Sequence, residues 1–376
     1  MKEKLSALRS KYIIDGIQQE LTPAQILESV SARPAIDQDD SGVPGRIADE
    51  SSWPGPSVAG TDPARIERYL ERVSAAKKRP SMVFPAEYTR TKVEQTLLDC
   101  IWRVGHFGLS DLCLDARWIW NDRKIGNMSA LYASVSSLAE FTDALGVGLR
   151  YYSEEDGDPE LELTADLCQD AALTLNPSAA SEGMSEGKQL KLGAASISSV
   201  LAPDPGSWVV YIPFDTSSYR FGGSLFAQVL KGSHGVAPAV NDPDYFIDCY
   251  EVVRELVEDG IVLAGATVAD GGLLTALKGM TTAKTGVDAD LSGLRGATGE
   301  EDPVRLLFAE VPGALIQIRD IDFDYLDAEM LLQDIAFYPL GHPVPGGELR
   351  LRSSARTGIQ NILESLIRNQ GGEGED

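Results

Sequence analysis

The stretch "ELVEDGIVLAGATVADGGLLTALKGM" at residues 255–280 decides the fold. Its apolar run at 261–265 leads to an acidic residue and two glycines, and a helical pattern follows at 273–280. This order predicts a strand that turns sharply through Gly271 and Gly272 into a helix. Many proteins hold a phosphate at such a turn, because the first backbone N–H groups of a helix have no partner within it.

The length and charge of the whole chain argue against some classes of partner. Its 376 residues are enough for two domains with sizeable cores, and its formal net charge is −24. Such a chain repels phosphate backbones and anionic membrane surfaces, so we expect neither nucleic acid nor membrane as a partner. No apolar stretch approaches the ~18 residues of a membrane span, and the N-terminus has no apolar secretory segment. We therefore predict a cytoplasmic protein.

The cysteines and histidines do not indicate a metal centre. The cysteines are Cys100, Cys113, Cys168 and Cys249. They lie far apart without a CxxC pair, so we expect small buried hydrophobes in a reducing compartment. The histidines are His106, His234 and His342. Their spacing does not predict a shared metal site.

Residues 1–86 are predicted to form a helical extension. Residues 4–32 show near-helical spacing of apolar side chains and are predicted to form one or two helices, the second starting with Thr22 as N-cap and Pro23 at its first position. Residues 33–62 are rich in Pro, Gly, Ser and Asp, which indicates a linker or disordered arm before another helix. Such an extension suits docking to a partner, and a plain extension fits equally well.

From about residue 87 the pattern alternates between helices and strands. The predicted elements are a helix ending at Gly105, a strand at 109–120 with Trp118 and Trp120 on one face, a helix at 127–146, and strands at 147–153, 192–201 and 207–214. Residues 154–192 are acidic and then rich in Ser and Gly, and no clear element is predicted there.

The second half of the chain continues with a different mixture of elements. The predicted elements are a glycine turn into a helix at 219–230, a helix at 242–260, the turn and helix of 261–280, two strands within 304–322, a helix at 326–336, a closing hairpin at 337–353, and a helix with an acidic tail at 357–376.

Five stretches together resemble one family, in the family's order and at about its spacing. They are "LCLDARWIWND" (112–122), "LYASVSSLAEFTDALGVGL" (131–149), "FGGSLFAQVL" (221–230), "ELVEDGIVLAGATVADGGLLTALKGM" (255–280) and "LFAEVPGALIQIR" (307–319). They resemble the C-terminal half of the large subunit of phosphoribosylformylglycinamidine synthase and the related aminoimidazole ribonucleotide synthetase (PurM-like) superfamily. The resemblance covers residues 87–352.

The resemblance implies a mixed α/β and α+β fold, a PurM-like two-domain unit. Residues 87–217 would form the N-terminal α/β, barrel-forming domain, and residues 218–356 the C-terminal α+β domain. Family units pair, so the expected partner is a second copy or a PurL-like chain. The family binds ATP and magnesium between its two domains, so both are expected here only if the ancestral site persists.

Several family ligand positions carry other residues in this chain. The family's metal-binding Glu and Asn, one helical turn apart, fall on Thr96 and Cys100, neither of which supplies a carboxylate or an amide. Glu94 or Asp99 could substitute only if the register slips by one or two residues.

The glycine turn at 265–273 also differs from the family pattern. The family reads His-Asp-x-Ser-Asp-Gly-Gly-Leu, and here Ala266, Thr267 and Ala269 replace the His, the metal-binding Asp and the Ser. Asp270 and the two glycines remain. Asp270 is expected to cap the helix, and the glycines to allow a tight turn.

The resemblance leaves a small set of candidate ligand contacts. Gly222, Gly223 and Ser224 of the retained "FGGS" lead into a helix and could bind an anion, together with Asp270 and the glycines after it. Arg150 could contact a phosphate and Glu154 a cation, although aromatic packing followed by a solvated loop explains their stretch as well. No catalytic residue is assigned.

Three hypotheses follow. The first is a degenerate, non-catalytic relative with a structural or regulatory role through self-association or a partner. The second is an accessory subunit of a split phosphoribosylformylglycinamidine synthase, which performs ATP-dependent amide transfer in purine biosynthesis. The third is an unrelated α/β enzyme with a cation site at Glu154, Glu155, Asp156 and Asp158.

Overall fold

A computed structural model describes the chain at residues 6–31, 76–104, 107–168, 197–216, 219–230, 237, 242–300 and 302–352. Its helices are α1 (Pro23–Ser31), α2 (Pro85–Val104), α3 (Asn127–Ala144), α4 (Leu225–Leu230), α5 (Pro243–Glu258), α6 (Gly272–Met280), α7 (Ser292–Thr298), α8 (Pro303–Phe308) and α9 (Phe323–Leu332). Its strands are β1 (Ile13–Ile14), β2 (Ile17–Gln18), β3 (Leu112–Trp120), β4 (Gly148–Asp156), β5 (Glu160–Leu167), β6 (Trp208–Pro213), β7 (Val262–Val268), β8 (Thr285–Asp290), β9 (Gly313–Ile318) and β10 (Tyr338–Arg352).

Several predicted features lie outside the described residues. They are the linker at 33–62, the start of the helix after it, the strand start at 192–196, the tail at 357–376, His106 and His234. Within the described ranges, no helix is long and apolar enough to cross a membrane.

The chain separates into two compact units. The first contains Met1–Arg46, Arg79–Ser196 and Ala239–Glu258, and the second contains Ile47–Lys78, Ile197–Pro238 and Asp259–Asp376. The chain therefore returns to the first unit for α5 before it completes the second. The domain ranges expected from the family, 87–217 and 218–356, stay a prediction.

The first unit is built on a three-stranded sheet in the order β4-β3-β5. β3 lies in the middle, parallel to β4 and antiparallel to β5. Its residues alternate between buried and half-buried, because every second side chain of a strand points to the same face. Trp118 and Trp120 both lie on the buried face, as predicted. α2 packs against α3 and β5.

The N-terminal part corrects one prediction and confirms another. The first helix expected within 4–32 is wrong: β1 and β2 form a hairpin whose turn residues, Asp15 and Gly16, have φ of 51° and 80°. An Asp-Gly pair between apolar residues favours a two-residue hairpin turn, which overrides the helical spacing. The second helix is confirmed as α1, since Thr22 and Gln25 cap it reciprocally at 2.9 and 3.3 Å.

The region predicted to have no clear element contains a strand. β4 continues to Asp156, and β5 follows it as the second neighbour of β3. In β5, Leu161, Leu163 and Ala165 are buried while the residues between them are more exposed. The sequence of β5 alternates strictly between polar and apolar residues, so the acidic composition of this region does not exclude a strand.

Two of the four cysteines form a disulfide, which corrects the expectation of free thiols. Cys113 in β3 is bonded to Cys168, just after β5, across a sequence separation of 55 residues. Cys100 and Cys249 are free and buried, as predicted. Disulfides are rare in reducing compartments, so the cysteines no longer support such a location, and a cytoplasmic location stays a prediction.

Thiol counting checks the disulfide. In denaturant without reductant, we expect the reactive thiols of Cys100 and Cys249 alone, because Cys113 and Cys168 are bonded to each other. After reduction, all 4 cysteines should react. A chain prepared without reductant that shows the full number before reduction would contradict the bond.

The second unit is built on a five-stranded sheet in the order β7-β9-β6-β10-β8. β9 is buried along its whole length and pairs antiparallel with β6 and β7. A core cluster joins side chains of the sheet, such as Leu315, to Phe226 of α4, Leu277 of α6 and Phe308 of α8. The apolar side chains of these helices therefore pack against the sheet and cover it.

Two predicted strands of this unit are not formed as expected. Within 304–322 only β9 is a strand, and the first part forms α8 because Asp302 caps it and Pro303 begins it. The Asp302 carboxylate accepts a hydrogen bond from Val304 N at 2.9 Å. The described end of the strand expected at 192–201 forms one bridge, between Ser198 and Ala264.

The closing hairpin takes an unexpected form. β10 pairs with β8 so that Val287 lies opposite both Pro343 and Leu349. The two arms of β10 therefore lie on either side of β8, and do not pair with each other. The reversal occurs at Gly346, whose φ is 88°.

Candidate functional site

The two glycine turns of the second unit meet at one buried carboxylate. Glu310 follows α8 and is 1% exposed. Its Oε1 accepts hydrogen bonds from Leu225 N, at the start of α4, and from Gly271 N, at the start of α6, each at 2.8 Å. The structure thus brings together two turns that are far apart in sequence and that both carry predicted anion contacts.

A buried lysine neutralises this carboxylate. Lys78 Nζ lies 2.5 Å from Glu310 Oε2 and 3.4 Å from Asp270 Oδ1. The Lys78 side chain is 7% exposed. A buried carboxylate without a counter-charge would be very unfavourable, so Lys78 supplies what Glu310 requires. We call Lys78, Asp270 and Glu310 the acid–lysine cluster.

The environment shifts the protonation of Glu310. Burial raises the pKa of its carboxyl group, because the charged form loses its hydration. The Lys78 ammonium and the N–H of Gly271 lower the pKa, and the Asp270 carboxylate raises it. The net effect is a raised pKa for the Glu310 carboxyl group. The three charged side chains form a compact ion-pair cluster.

The glycines of the second turn serve the fold. Gly271 is the N-cap of α6 and has φ of 84°, and Gly272 has φ of 71°. A Cβ on Gly272 would lie 2.6 Å from Leu307 O and 2.8 Å from Phe308 Cα. The expectation that Asp270 caps α6 is wrong, because the helix has no side-chain cap and Asp270 faces Lys78 instead.

The first turn also forms hydrogen bonds with neighbouring residues of the protein. Gly223 has φ of 68° and its carbonyl accepts a hydrogen bond from Gln228 Nε2 at 3.1 Å. Ser224 Oγ accepts one from Ala227 N at 3.1 Å. With Leu225 N bonded to Glu310, two backbone N–H groups at the start of α4, those of Leu225 and Ala227, donate to side chains of the protein. Anion binding by Gly222, Gly223 and Ser224 stays a prediction.

The positions that correspond to metal ligands in the family are engaged in or near α2. Thr96 Oγ1 donates to Lys92 O at 2.7 Å, and Cys100 is completely buried in α2. Of the possible substitutes, Glu94 is buried and Asp99 exposed. In the parts of the chain described above, no group of three or more His, Cys, Asp or Glu residues could hold a metal ion.

The polar candidates on β4 are engaged with neighbouring residues. Arg150 binds Asp115 with two hydrogen bonds, at 3.0 and 2.6 Å. Glu154 Oε2 accepts a hydrogen bond from Leu8 N at 2.7 Å, so it fixes the N-terminal segment. Glu155 forms an ion pair with Arg117. The third hypothesis, a cation site on this stretch, gains no support from these contacts.

A cavity of about 470 Å³ lies at the ends of β3 and β4 in the first unit. Its apolar wall includes Trp118, Trp120 and Leu131, and its acidic side includes Glu154 and Asp156. No Lys or Arg is among the residues that line it. The carboxyl ends of parallel strands commonly bind ligands, but this cavity offers a phosphate no positive charge.

Sequence reasoning missed Lys78 and Glu310. Glu310 stands alone as a charged residue in the apolar stretch "LLFAEVPGALI", and a charged residue in such a run is a signal of a paired, buried group. Lys78 offers no comparable signal, because it lies in a basic stretch typical of a solvated surface.

Comparison with known proteins identifies the relatives. No family model matches the chain. It is 24% identical over 272 residues to a probable phosphoribosylformylglycinamidine synthase, chloroplastic/mitochondrial, from Arabidopsis thaliana, which covers 69% of this chain and 17% of the relative. It resembles the structure of Thermotoga maritima PurL complexed with FGAR, with a TM-score of 0.54, 14% identity, and coverage of 77% of this chain and 44% of that one. It also resembles the structure of PurLQS from the same organism, with a TM-score of 0.51, 14% identity, and coverage of 76% of this chain and 42% of that one.

These likenesses establish ancestry and fold. The chain is homologous to PurL-type phosphoribosylformylglycinamidine synthase and has a mixed α/β, PurM-like fold, as the motifs predict. It spans about a sixth of the length of the plant relative it matches.

Proposed function

We propose that this chain is a degenerate PurL-like protein that does not catalyse ATP-dependent amide transfer alone and acts as a structural or regulatory component, through self-association or a partner chain. The observation that carries the proposal is the position of Glu310. Its carboxylate accepts hydrogen bonds from both glycine turns and is paired with Lys78. A phosphate at either turn would have to displace this internal anion and separate Lys78 from its nearest carboxylate.

The residues around the second turn support the same proposal. Magnesium prefers hard oxygen ligands in near-octahedral geometry. Ala266 and Ala269 offer no side-chain oxygen, and Thr267 offers a single hydroxyl. The remaining acid, Asp270, is already close to Lys78. Compared with the family pattern, the turn retains the glycines that shape its backbone and lacks the side chains that would bind metal and nucleotide.

Calorimetry with MgATP tests the proposal. We expect no saturable binding to the full chain at concentrations up to about 1 mM, a level that would still reveal weak affinity of about −4 kcal/mol. We expect no binding because Glu310 already accepts a backbone hydrogen bond from each of the two turns. An active PurL-type enzyme provides the positive control. Magnesium-dependent binding with a Kd below about 0.1 mM would reject the proposal.

A second candidate is an accessory subunit of a split phosphoribosylformylglycinamidine synthase. It is favoured by the homology, which covers 69% of this chain but only 17% of the plant relative. Another chain would then supply the active half, and one T. maritima relative is described in a PurLQS structure. Co-purification with a PurL-like chain and faster amide transfer in the mixture would support this role. A mixture with unchanged turnover would speak against it.

A further inference from the structure

The α9 helix is apolar on two opposite sides. Leu326 and Met330, one helical turn apart, are completely buried. The other side carries a second row of apolar residues at intervals of four, three and four positions, which are Ile321, Tyr325, Ala328 and Leu332. This spacing keeps the row on one face, opposite the buried side chains, for about three turns. We call these four residues the α9 stripe.

The α9 stripe is exposed although its side chains are apolar. Ile321, Tyr325 and Leu332 are 85%, 42% and 75% exposed, and Leu331 beside them is 79% exposed. Ala328 is exposed as well. Single exposed apolar residues are ordinary on protein surfaces, whereas a row aligned along one helix marks a contact surface. An apolar row with helical spacing is the pattern by which one helix recognises another.

Acidic residues border the α9 stripe. The stretch "DIDFDYLDAEMLLQD" at 320–334 contains six carboxylates and neither Lys nor Arg. On a helical projection Asp324 and Glu329 lie on either side of the stripe. The last turn of α9 has no basic residue, so the partial negative charge of the helix C-terminus adds to that of the carboxylates. The surface is therefore apolar along its centre and negative at both margins.

We propose that the α9 stripe binds a basic amphipathic helix of a partner protein, with apolar side chains on the stripe and Lys or Arg beside the bordering carboxylates. Helix pairs of this kind combine an apolar seam with opposite charges along its margins. The proposal rests on the exposure and charge of α9 alone, so it holds whether or not the chain binds MgATP.

The charge of the chain argues against two other covers for the stripe. A second copy would bring a second row of carboxylates against the first, and like charges at close range repel each other. An anionic membrane surface would also be repelled, because the formal net charge of the chain is −24. A basic partner, in contrast, would neutralise the carboxylates as it covers the apolar residues.

Binding of synthetic peptides to the full chain tests the proposal. The probe contains only Leu and Lys, with Leu at helical intervals of three and four residues. We expect a Kd on the order of 10 μM at low salt, since so small a contact gives a weak, reversible complex. One control peptide has the same composition in scrambled order, and another keeps the Leu pattern but carries Glu in place of Lys. Both should bind about tenfold more weakly, because the first lacks the apolar row and the second lacks the opposite charge.

Variants of the chain locate the binding surface. Ile321→Ser/Leu332→Ser removes the two ends of the α9 stripe and should weaken binding of the Leu–Lys probe about tenfold. Val83→Ser/Ile125→Ser is the matched control, because it replaces residues that are 76% and 107% exposed outside α9. The control variant should bind the probe as the unmodified chain does. All four side chains are exposed, so neither variant is expected to disturb folding.

Neutralising the margins tests the role of charge. Asp324→Asn/Glu329→Gln should weaken binding of the probe about threefold at low salt and have little effect at high salt, where exposed charges are screened. Equal affinity of this variant and the unmodified chain at low salt would show that the carboxylates do not select the partner.

Four further results would overturn the proposal. No binding of the Leu–Lys probe up to about 1 mM would show that the stripe does not recognise a basic helix. Equal binding of the patterned and scrambled peptides would show that net charge alone attracts them. Unchanged binding by Ile321→Ser/Leu332→Ser would place the probe elsewhere on the chain. Sedimentation that finds a dimer of the unmodified chain and a monomer of this variant would assign the stripe to a second copy.

Discussion

Replacing Glu310 with glutamine is expected to lower the free energy of unfolding of the second unit by about 3 kcal/mol, because the buried Lys78 would lose its nearest counter-charge and keep only the more exposed Asp270. The amide oxygen of glutamine can still accept from Leu225 N or Gly271 N, so the loss reflects the charge more than the hydrogen bonds. The measurement is denaturant-dependent hydrogen exchange of β9, whose buried amides report the opening of this unit.

Two further variants make this expectation specific. Glu348→Gln removes an exposed carboxylate paired with Arg350, and should change stability by less than about 0.5 kcal/mol. The double variant Lys78→Met/Glu310→Gln removes both charges and should cost clearly less than the sum of the single changes. Additive losses in the double variant would show that Lys78 and Glu310 do not act as a pair.

Substituting Gly272 with alanine is expected to cost the second unit about 3 kcal/mol, since a positive φ disfavours an L-residue by ~1–2 kcal/mol and overpacking adds ~1–3 kcal/mol. The new Cβ would meet the backbone of Leu307 and Phe308, which cannot rotate away as a side chain can. The same exchange measurement on β9 gives the loss.

Gly279 in the same helix provides a matched control. It has no atom within 4 Å of an added Cβ and no positive φ. Gly279→Ala should therefore stabilise the unit by about 0.5 kcal/mol through helix propensity. Equal effects at Gly272 and Gly279 would mean that the turn into α6 does not require glycine.

Local patterns predicted most of the framework of this protein. The alternation in β3, the N-cap of α1 at Thr22, and the turn through Gly271 all depend on neighbouring residues, which a sequence displays directly. The ordered motifs added the PurM-like fold, which the structural likeness confirms.

The features that sequence reasoning missed depend on distant partners. Asp270 sits where a helix cap is expected, but Lys78, far along the chain, attracts it. Cys113 and Cys168 come together only because β5 runs antiparallel to β3. Glu310 joins two turns that no local pattern connects. In each case the deciding interaction forms only once the sheets are assembled.

Because the two arms of β10 lie on either side of β8, they also protect the second unit against aggregation. A bare edge strand exposes unpaired backbone groups that can recruit a strand of another molecule. β8 has no such bare side, because an arm of β10 lies along each of its edges. The outer arm carries Arg350 and Arg352, and Arg352 is paired with Asp288 of β8. Charged side chains on an outermost strand discourage further pairing, so this end of the sheet resists growth into a larger assembly.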